Sequence, residues 1–186
     1  MNYKKLRLID CCKSISDGDH MPPPKSKTGV PFITISNIDN NNNITFNDAM
    51  FVLEEYYDNL SDEKKAVKGD ILYSVVGSFG KPVYIDFNKK FVLQRHIAIL
   101  KPNENINPKF LYYLMLNPIF YYIADKMAIG AAQRTITLDS LRNMPINIPE
   151  MSIQNSIVNV LSCIDKKIKC NLKINDNLFY QSAMVA

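Results

Sequence analysis

Apolar residues gather in short runs up to Leu100, recur at helical spacing beyond it, and narrow to a single stripe near the C-terminal end. The short runs predict strands. Residues 5–10 alternate like a brief strand, 30–38 read as a buried one, and 44–52 as a further extended piece. Residues 71–76 and 91–100 combine aliphatic and aromatic side chains as strands do, with an extended segment at 82–87 between them. Residues 16–28, with consecutive prolines at Pro22, Pro23 and Pro24, predict a loop stiffened as polyproline II. Residues 54–67 predict a surface helix, and Gly69-Asp70 and residues 77–80 predict turns. Asn107-Pro108 and Asn117-Pro118 each pair a capping side chain with a proline that needs no N–H partner, so each predicts a helix start. Phe110, Leu111, Leu114, Met115, Phe120, Tyr121, Ile123 and Ala124 form the face expected to meet the sheet. A loop at 128–137, one helical turn at 138–142 and an extended piece at 145–148 lead to the last element.

That element is a long helix. Pro149 suits its first position, and Ser152 is placed to cap its early amides. Ile157, Leu161, Ile164 and Ile168 then follow at steps of four, three and four, and the same register carries Asn171, Asn175 and Leu178. The stripe is as narrow as a coiled-coil seam, and asparagines on such a seam fix register at a cost in stability. About 30 helical residues would reach roughly 45 Å. Strands that cluster without regular βαβ alternation favour α+β. The expected architecture is therefore a mixed-sheet globular domain over residues 1–148, followed by one projecting coiled-coil helix over 149–186.

Composition narrows the choices only a little. The 186 residues are 47% hydrophobic and 22% charged, with a net charge of +4, which permits nucleic-acid binding without requiring it. No apolar run approaches the about 18 residues of a membrane span, and the first residues lack the apolar core of a signal peptide. Cys11, Cys12, Cys163 and Cys170 match no zinc spacing and read as free thiols of a cytoplasmic protein. Asp48, Glu54, Glu55, Asp58, Asp62 and Glu63 form an acidic stretch between more basic flanks, which suits either a positive face toward phosphates or an ordinary solvated surface.

Catalytic patterns fail on inspection. Residues 77–81 resemble a phosphate loop, but Val75 stands where its first glycine belongs and Pro82 where Ser or Thr must follow the lysine. Pro22 to Pro24 lack the amide donor and the aromatic residue of a methyltransferase loop, and Glu63-Lys64-Lys65 sits in a charged surface segment rather than a carboxylate cluster. His20 and His96 lie near no nucleophile pattern. No active site is expected, and no metal site.

The ordered series of short motifs carries a resemblance. Asp17-Gly18-Asp19-His20, Gly69-Asp70-Ile71-Leu72, Gly77-Ser78-Phe79-Gly80 and residues 138–145, followed by Gln154, Ile157, Leu161, Ile164-Asp165, Ile168 and residues 174–178, resemble the target recognition domain and helical spacer of type I restriction-modification specificity subunits. The resemblance covers nearly the whole chain. It implies a half-size form, with one recognition domain and one helix where full members have two of each. It further implies double-stranded DNA, methyltransferase (modification) subunits and a restriction subunit as partners. S-adenosylmethionine, ATP and magnesium would belong to those partners and none to this chain.

Two copies pairing their helices would restore a two-domain layout and read a bipartite site. The pairing residues expected are Ile157, Leu161, Ile164, Ile168, Asn171, Asn175 and Leu178. Polar loops between strands supply the DNA-binding candidates: His20, Lys25, Lys27, Ser36, Asn37, Ser78, Phe79, Lys81, Arg95, Gln133, Arg134 and Thr135. Three alternatives stay open: one half of a split or truncated subunit that needs an unlike second half, a self-contained nuclease, and a protein-interaction module without a DNA role.

Overall fold

The computed structural model describes residues 3–183 apart from positions 22, 78 and 132. Its strands are β1 (Tyr3–Arg7), β2 (Cys12–Asp17), β3 (Val30–Ile33), β4 (Met50–Val52), β5 (Ile71–Ser74), β6 (Pro82–Tyr84), β7 (Val92–Leu93), β8 (Ile97–Pro102) and β9 (Pro145–Pro149). The helices are α1 (Glu54–Asp58), α2 (Pro108–Leu116), α3 (Pro118–Met127), α4 (Leu138–Arg142) and α5 (Met151–Ala183). The fold is α+β. An antiparallel sheet in the order β2-β8-β5-β6 forms the centre, a mixed sheet β4-β3-β7 lies beside it, and β1 pairs with β9.

Strands β5 and β8 are buried on both faces, which explains their nearly continuous hydrophobic sequence. Ile71, Tyr73, Ala98 and Leu100 point toward α2, α3 and α4 and meet Phe110, Leu111, Phe120 and Leu141. Leu72, Ile97 and Ile99 point the other way, toward Ile33, Phe91 and Leu93 of the second sheet. Alternate side chains of one strand thus feed two cores, and each large apolar side chain removed from water contributes about 1.5–3 kcal/mol. The asparagine caps stand where the sequence puts them. The Asn107 side chain accepts from the amides of Lys109 and Phe110, and that of Asn117 accepts from Ile119.

Several expectations need correction. Residues 12–17 form strand β2, so the loop expected from residue 16 starts only after Asp17; only Cys12 and Ile15 turn inward, too few to reveal a strand. The helix expected over 54–67 stops at Asp58, and a separate 3-10 turn follows at Asp62–Lys64. The strand expected over 91–100 is two strands, β7 and β8, with Gln94, Arg95 and His96 turning between them. Tyr121 stays half exposed instead of joining the sheet-facing residues. Pro149 closes β9, so α5 begins at Met151, and Ser152 bonds the Glu150 carboxylate while the Glu150 carbonyl accepts from Ile153 and Gln154.

Helix α5 is docked before it is free. Gln154 is buried, donates to the Pro149 carbonyl and accepts from the Asn107 amide at 2.9 Å. Tyr113 donates to Asp165 at 2.5 Å, and burial together with that carboxylate pushes its phenol up to about 12. Ile157 and Val158 pack on the domain core, so Ile157 is not an open pairing position, and Leu161 is half-buried. Elsewhere on α5 Val160, Ile164, Ile168, Leu172, Ile174 and Leu178 are exposed, as are Asn171 and Asn175.

A buried ion pair locks the sheet from one side. Lys101 on β8 reaches Asp70 at 2.7 Å and the Lys65 carbonyl at 2.8 Å, while Asp70 also accepts from the Val67 amide. Removing one partner of such a pair strands the other charge. Asp70→Ala is expected to destabilise the domain by about 3 kcal/mol, read as a lowered midpoint in urea unfolding followed by circular dichroism.

Candidate nucleic-acid interface

The strand directions bring many loops to one end of the central sheet. Strands β2, β3, β5 and β7 finish there and β6 and β8 begin there, as the registers Asp17↔Ala98, Ser74↔Ile97, Ile33↔Leu93 and Tyr73↔Pro82 require. Residues 18–20, 34–37, 75–77, 79–81 and 94–96 therefore share this end. The 129–135 loop is stitched to it through a Val76↔Thr135 bridge and a bond from the Gly77 amide to the Arg134 carbonyl.

The turn between β7 and β8 is the joint of this surface. Gln94 donates its amide to the Ile33 carbonyl, Arg95 donates to Asp19, and the His96 carbonyl accepts from Val75. Three successive residues thus tie down the end of β3 and two different loops. Gly18 must lie against this turn: a Cβ there would stand 2.2 Å from the Leu93 carbonyl oxygen and 2.4 Å from that of Gln94, closer than any side chain can come. Gly80, with φ +89, likewise leaves no room for a Cβ against the Tyr121 ring.

The acidic groups at this end are already engaged. His20 contacts Asp17 at 2.7 Å, and Asp19 accepts from the Tyr56 hydroxyl and faces Lys64 at 3.7 Å. Burial works against ionisation of Asp39, but hydrogen bonds from Asn43 and Asn41, with Lys81 near, hold its carboxyl below the ordinary value. Burial, and then the adjacent Arg95, depress the His96 pKa, so this imidazole is neutral near pH 7 and accepts from the Arg95 Nε at 3.3 Å.

Against this frame the sequence candidates divide. His20, Ser36, Lys81, Arg95, Gln133 and Thr135 lie at the loop end. Asn37 is buried, and its side-chain oxygen accepts from the Thr34 amide; it caps a 3-10 turn instead of facing solvent. Phe79 is buried and stacks on Tyr121 with ring centroids 5.3 Å apart. Arg134 is held by the Asp125 carboxylate and carbonyl, so it fastens the 129–135 loop to α3. Lys25 and Lys27 flank Ser26, which bridges Phe51 at the outer edge of the second sheet, away from the turn. Ser78 lies outside the described residues. Sequence reasoning missed His96, whose role shows only once residues 94–96 are seen as a turn.

Over residues 2–179 the chain matches the family described as type I restriction modification DNA specificity domain. The chain belongs to this family. It is 33% identical over 123 residues to the HindI specificity subunit of Haemophilus influenzae, a match covering 62% of this chain and 26% of that protein. To the EcoBI specificity subunit of Escherichia coli it is 24% identical over 152 residues, covering 81% and 32%. The chain thus spans about a quarter to a third of the length of these curated relatives. Its fold is that of the S subunit of a type I restriction-modification system from M. genitalium, at a TM-score of 0.64 and 17% identity over 91% of this chain and 40% of that one. The HsdS subunit of Thermoanaerobacter tengcongensis superposes at 0.63, with 24% identity over 90% and 38%.

In this specificity domain the motifs that carry the resemblance are largely framework. Gly18 admits the turn, Asp70 holds Lys101, and Gln154 joins α5 to α2. Burial pushes the Cys11 and Cys12 thiols up to about 11 and about 12, which leaves them protonated and inert. Among the described residues no group of three His, Cys, Asp or Glu side chains could hold a metal, and no helix is long and apolar enough to cross a membrane. Gly18→Ala forces the 18–20 loop off the turn. It is expected to cost about 1–3 kcal/mol of stability, read by thermal unfolding, and to weaken DNA binding beyond what the lost folded fraction explains.

Proposed function

We propose that this chain reads one half of a bipartite sequence in double-stranded DNA and carries that address to methyltransferase and restriction subunits. Family membership over nearly the whole chain supports the DNA role. The loop end supports the place: carboxylates engaged internally, an exposed arginine on a rigid turn, and polar side chains from separate loops. Lys25 and Lys27, beside the outer strand of the second sheet, are proposed to meet phosphates, while the loop end faces base edges. Specificity, not chemistry, is the proposed contribution. S-adenosylmethionine, ATP and magnesium would be held by the partner subunits, in the cytoplasm.

Pairing through α5 completes the proposal. Val160, Ile164, Ile168, Leu172, Ile174 and Leu178 leave apolar side chains exposed along the helix, and Asn171 and Asn175 would fix its register. A second copy on this stripe would set two recognition domains about a two-fold axis, with unread base pairs between their half-sites.

Ile164→Asp with Ile168→Asp tests the pairing, because both side chains are about half exposed, at 48% and 52%. Light scattering is expected to show a dimer falling to a monomer with the circular dichroism of the domain unchanged. A monomer before and after would transfer the stripe to an unlike partner. Lys25→Ala and Lys27→Ala are each expected to lower the slope of log affinity against log salt by about 0.9 without altering which sequence is preferred, measured by fluorescence anisotropy on one duplex.

A further inference from the structure

We infer that Arg95 is the residue that selects a guanine within each half-site, and that His96 positions it. The inference rests on the reading of this chain as a DNA recognition domain and names the side chain and base that carry it.

The four arginines have different fates. Arg7 is clamped bidentately by Asp10, Arg134 is held by Asp125, and Arg142 gives Nε and a terminal nitrogen to the Ile15 carbonyl. Arg95 spends only its Nε, on His96. Its two terminal nitrogens have no hydrogen-bond partner among the described residues, although the side chain is exposed at the centre of the loop end.

The backbone beneath it is fixed on every side. Bonds from Gln94, Arg95 and Ile97, and to the His96 carbonyl, leave the turn little freedom to tilt. A guanidinium fixed through Nε presents its two terminal nitrogens as an end-on fork. That fork matches the O6 and N7 acceptors of guanine in the major groove, the commonest specific contact of arginine with DNA. The same fork can also meet a phosphate, and the base preference and salt dependence of the variants below separate the two. Neighbouring acids do not compete for the fork: Asp17 is engaged by His20, and Asp19 by Tyr56 and Lys64.

His96 accepts the Nε proton because burial and the adjacent charge keep it neutral. A glutamine, whose side-chain oxygen reaches about as far as the imidazole Nε2, should substitute for it.

The test is selection from a random-sequence duplex pool by the purified full chain, repeated with Arg95→Ala, Arg95→Lys, His96→Ala and His96→Gln, each checked by circular dichroism. The unaltered chain should enrich a half-site with an invariant G·C pair. Arg95→Ala should lose preference at that position alone, by about 5- to 140-fold. Arg95→Lys should keep the salt dependence of binding yet lose the same preference, since it keeps the charge and not the fork. His96→Ala should relax that position, and His96→Gln should restore it.

A uniform loss of affinity in Arg95→Ala, with the salt slope reduced by about 0.9 and every base preference intact, would make Arg95 a phosphate contact and overturn the inference. A selected half-site without a G·C pair that depends on Arg95 would overturn it equally. An unaltered chain that enriches no sequence would instead overturn the DNA-recognition reading on which the inference rests.

Discussion

Burial of β5 and β8 on both faces dictates where polar chemistry can stand in this chain. With helices packed on one side and a second sheet on the other, neither strand offers a solvent face. Polar side chains are driven to the ends of the strands, and the two ends have taken different work. One end holds the 3-10 turn after β1, the start of α2 and the start of α5, fastened by Asn107 and Gln154. The other holds the loops. Asp70 and Lys101, one of few charged pairs admitted to the interior, brace the sheet that separates them.

The loop end is organised around a turn three residues wide. Loops usually gain mobility from having few backbone partners, whereas here Gln94, Arg95 and His96 each bond a different neighbouring segment. Rigidity of this kind matters for base reading, because a side chain that must be ordered on binding loses affinity to that ordering. The acidic residues of the DGDH segment, which would repel a phosphate backbone if left free, are consumed by His20, Tyr56 and Lys64. Geometry and charge therefore favour the same surface.

Much of the architecture was legible in the sequence because it rested on short-range signals. Asparagine-proline pairs gave both helix starts, and aliphatic runs gave β5 and most of β8. Strand β2 was not legible, since Cys12 and Ile15 alone turn inward among polar residues and its last two residues read as the start of a loop. The candidate site was legible as a set of loops and not as a set of side chains. Asn37 and Phe79 have the chemistry of DNA contacts, but the first caps a turn and the second fills a core against Tyr121, and neither fact is local in sequence. The partner of Arg134, Asp125 on α3, is another contact that the local sequence does not announce. The heptad register of α5 was readable, yet its first position, Ile157, is claimed by the domain, because an amphipathic stripe does not announce which part of it is already covered.

Helix α5 thus links two demands, docking along α2 through Gln154 and Tyr113 and then carrying an apolar stripe into solvent. Its docked portion fixes the direction in which the loop end faces relative to any partner on that stripe. The most direct measurement is hydrogen–deuterium exchange of the full chain with and without a duplex selected from a random pool. If DNA meets the loop end, protection should rise in residues 18–20, 34–37, 75–81, 94–96 and 129–135, with α2 and α3 unchanged. Protection confined to α2, α3 or the outer face of α5, with the loops unaltered, would contradict it.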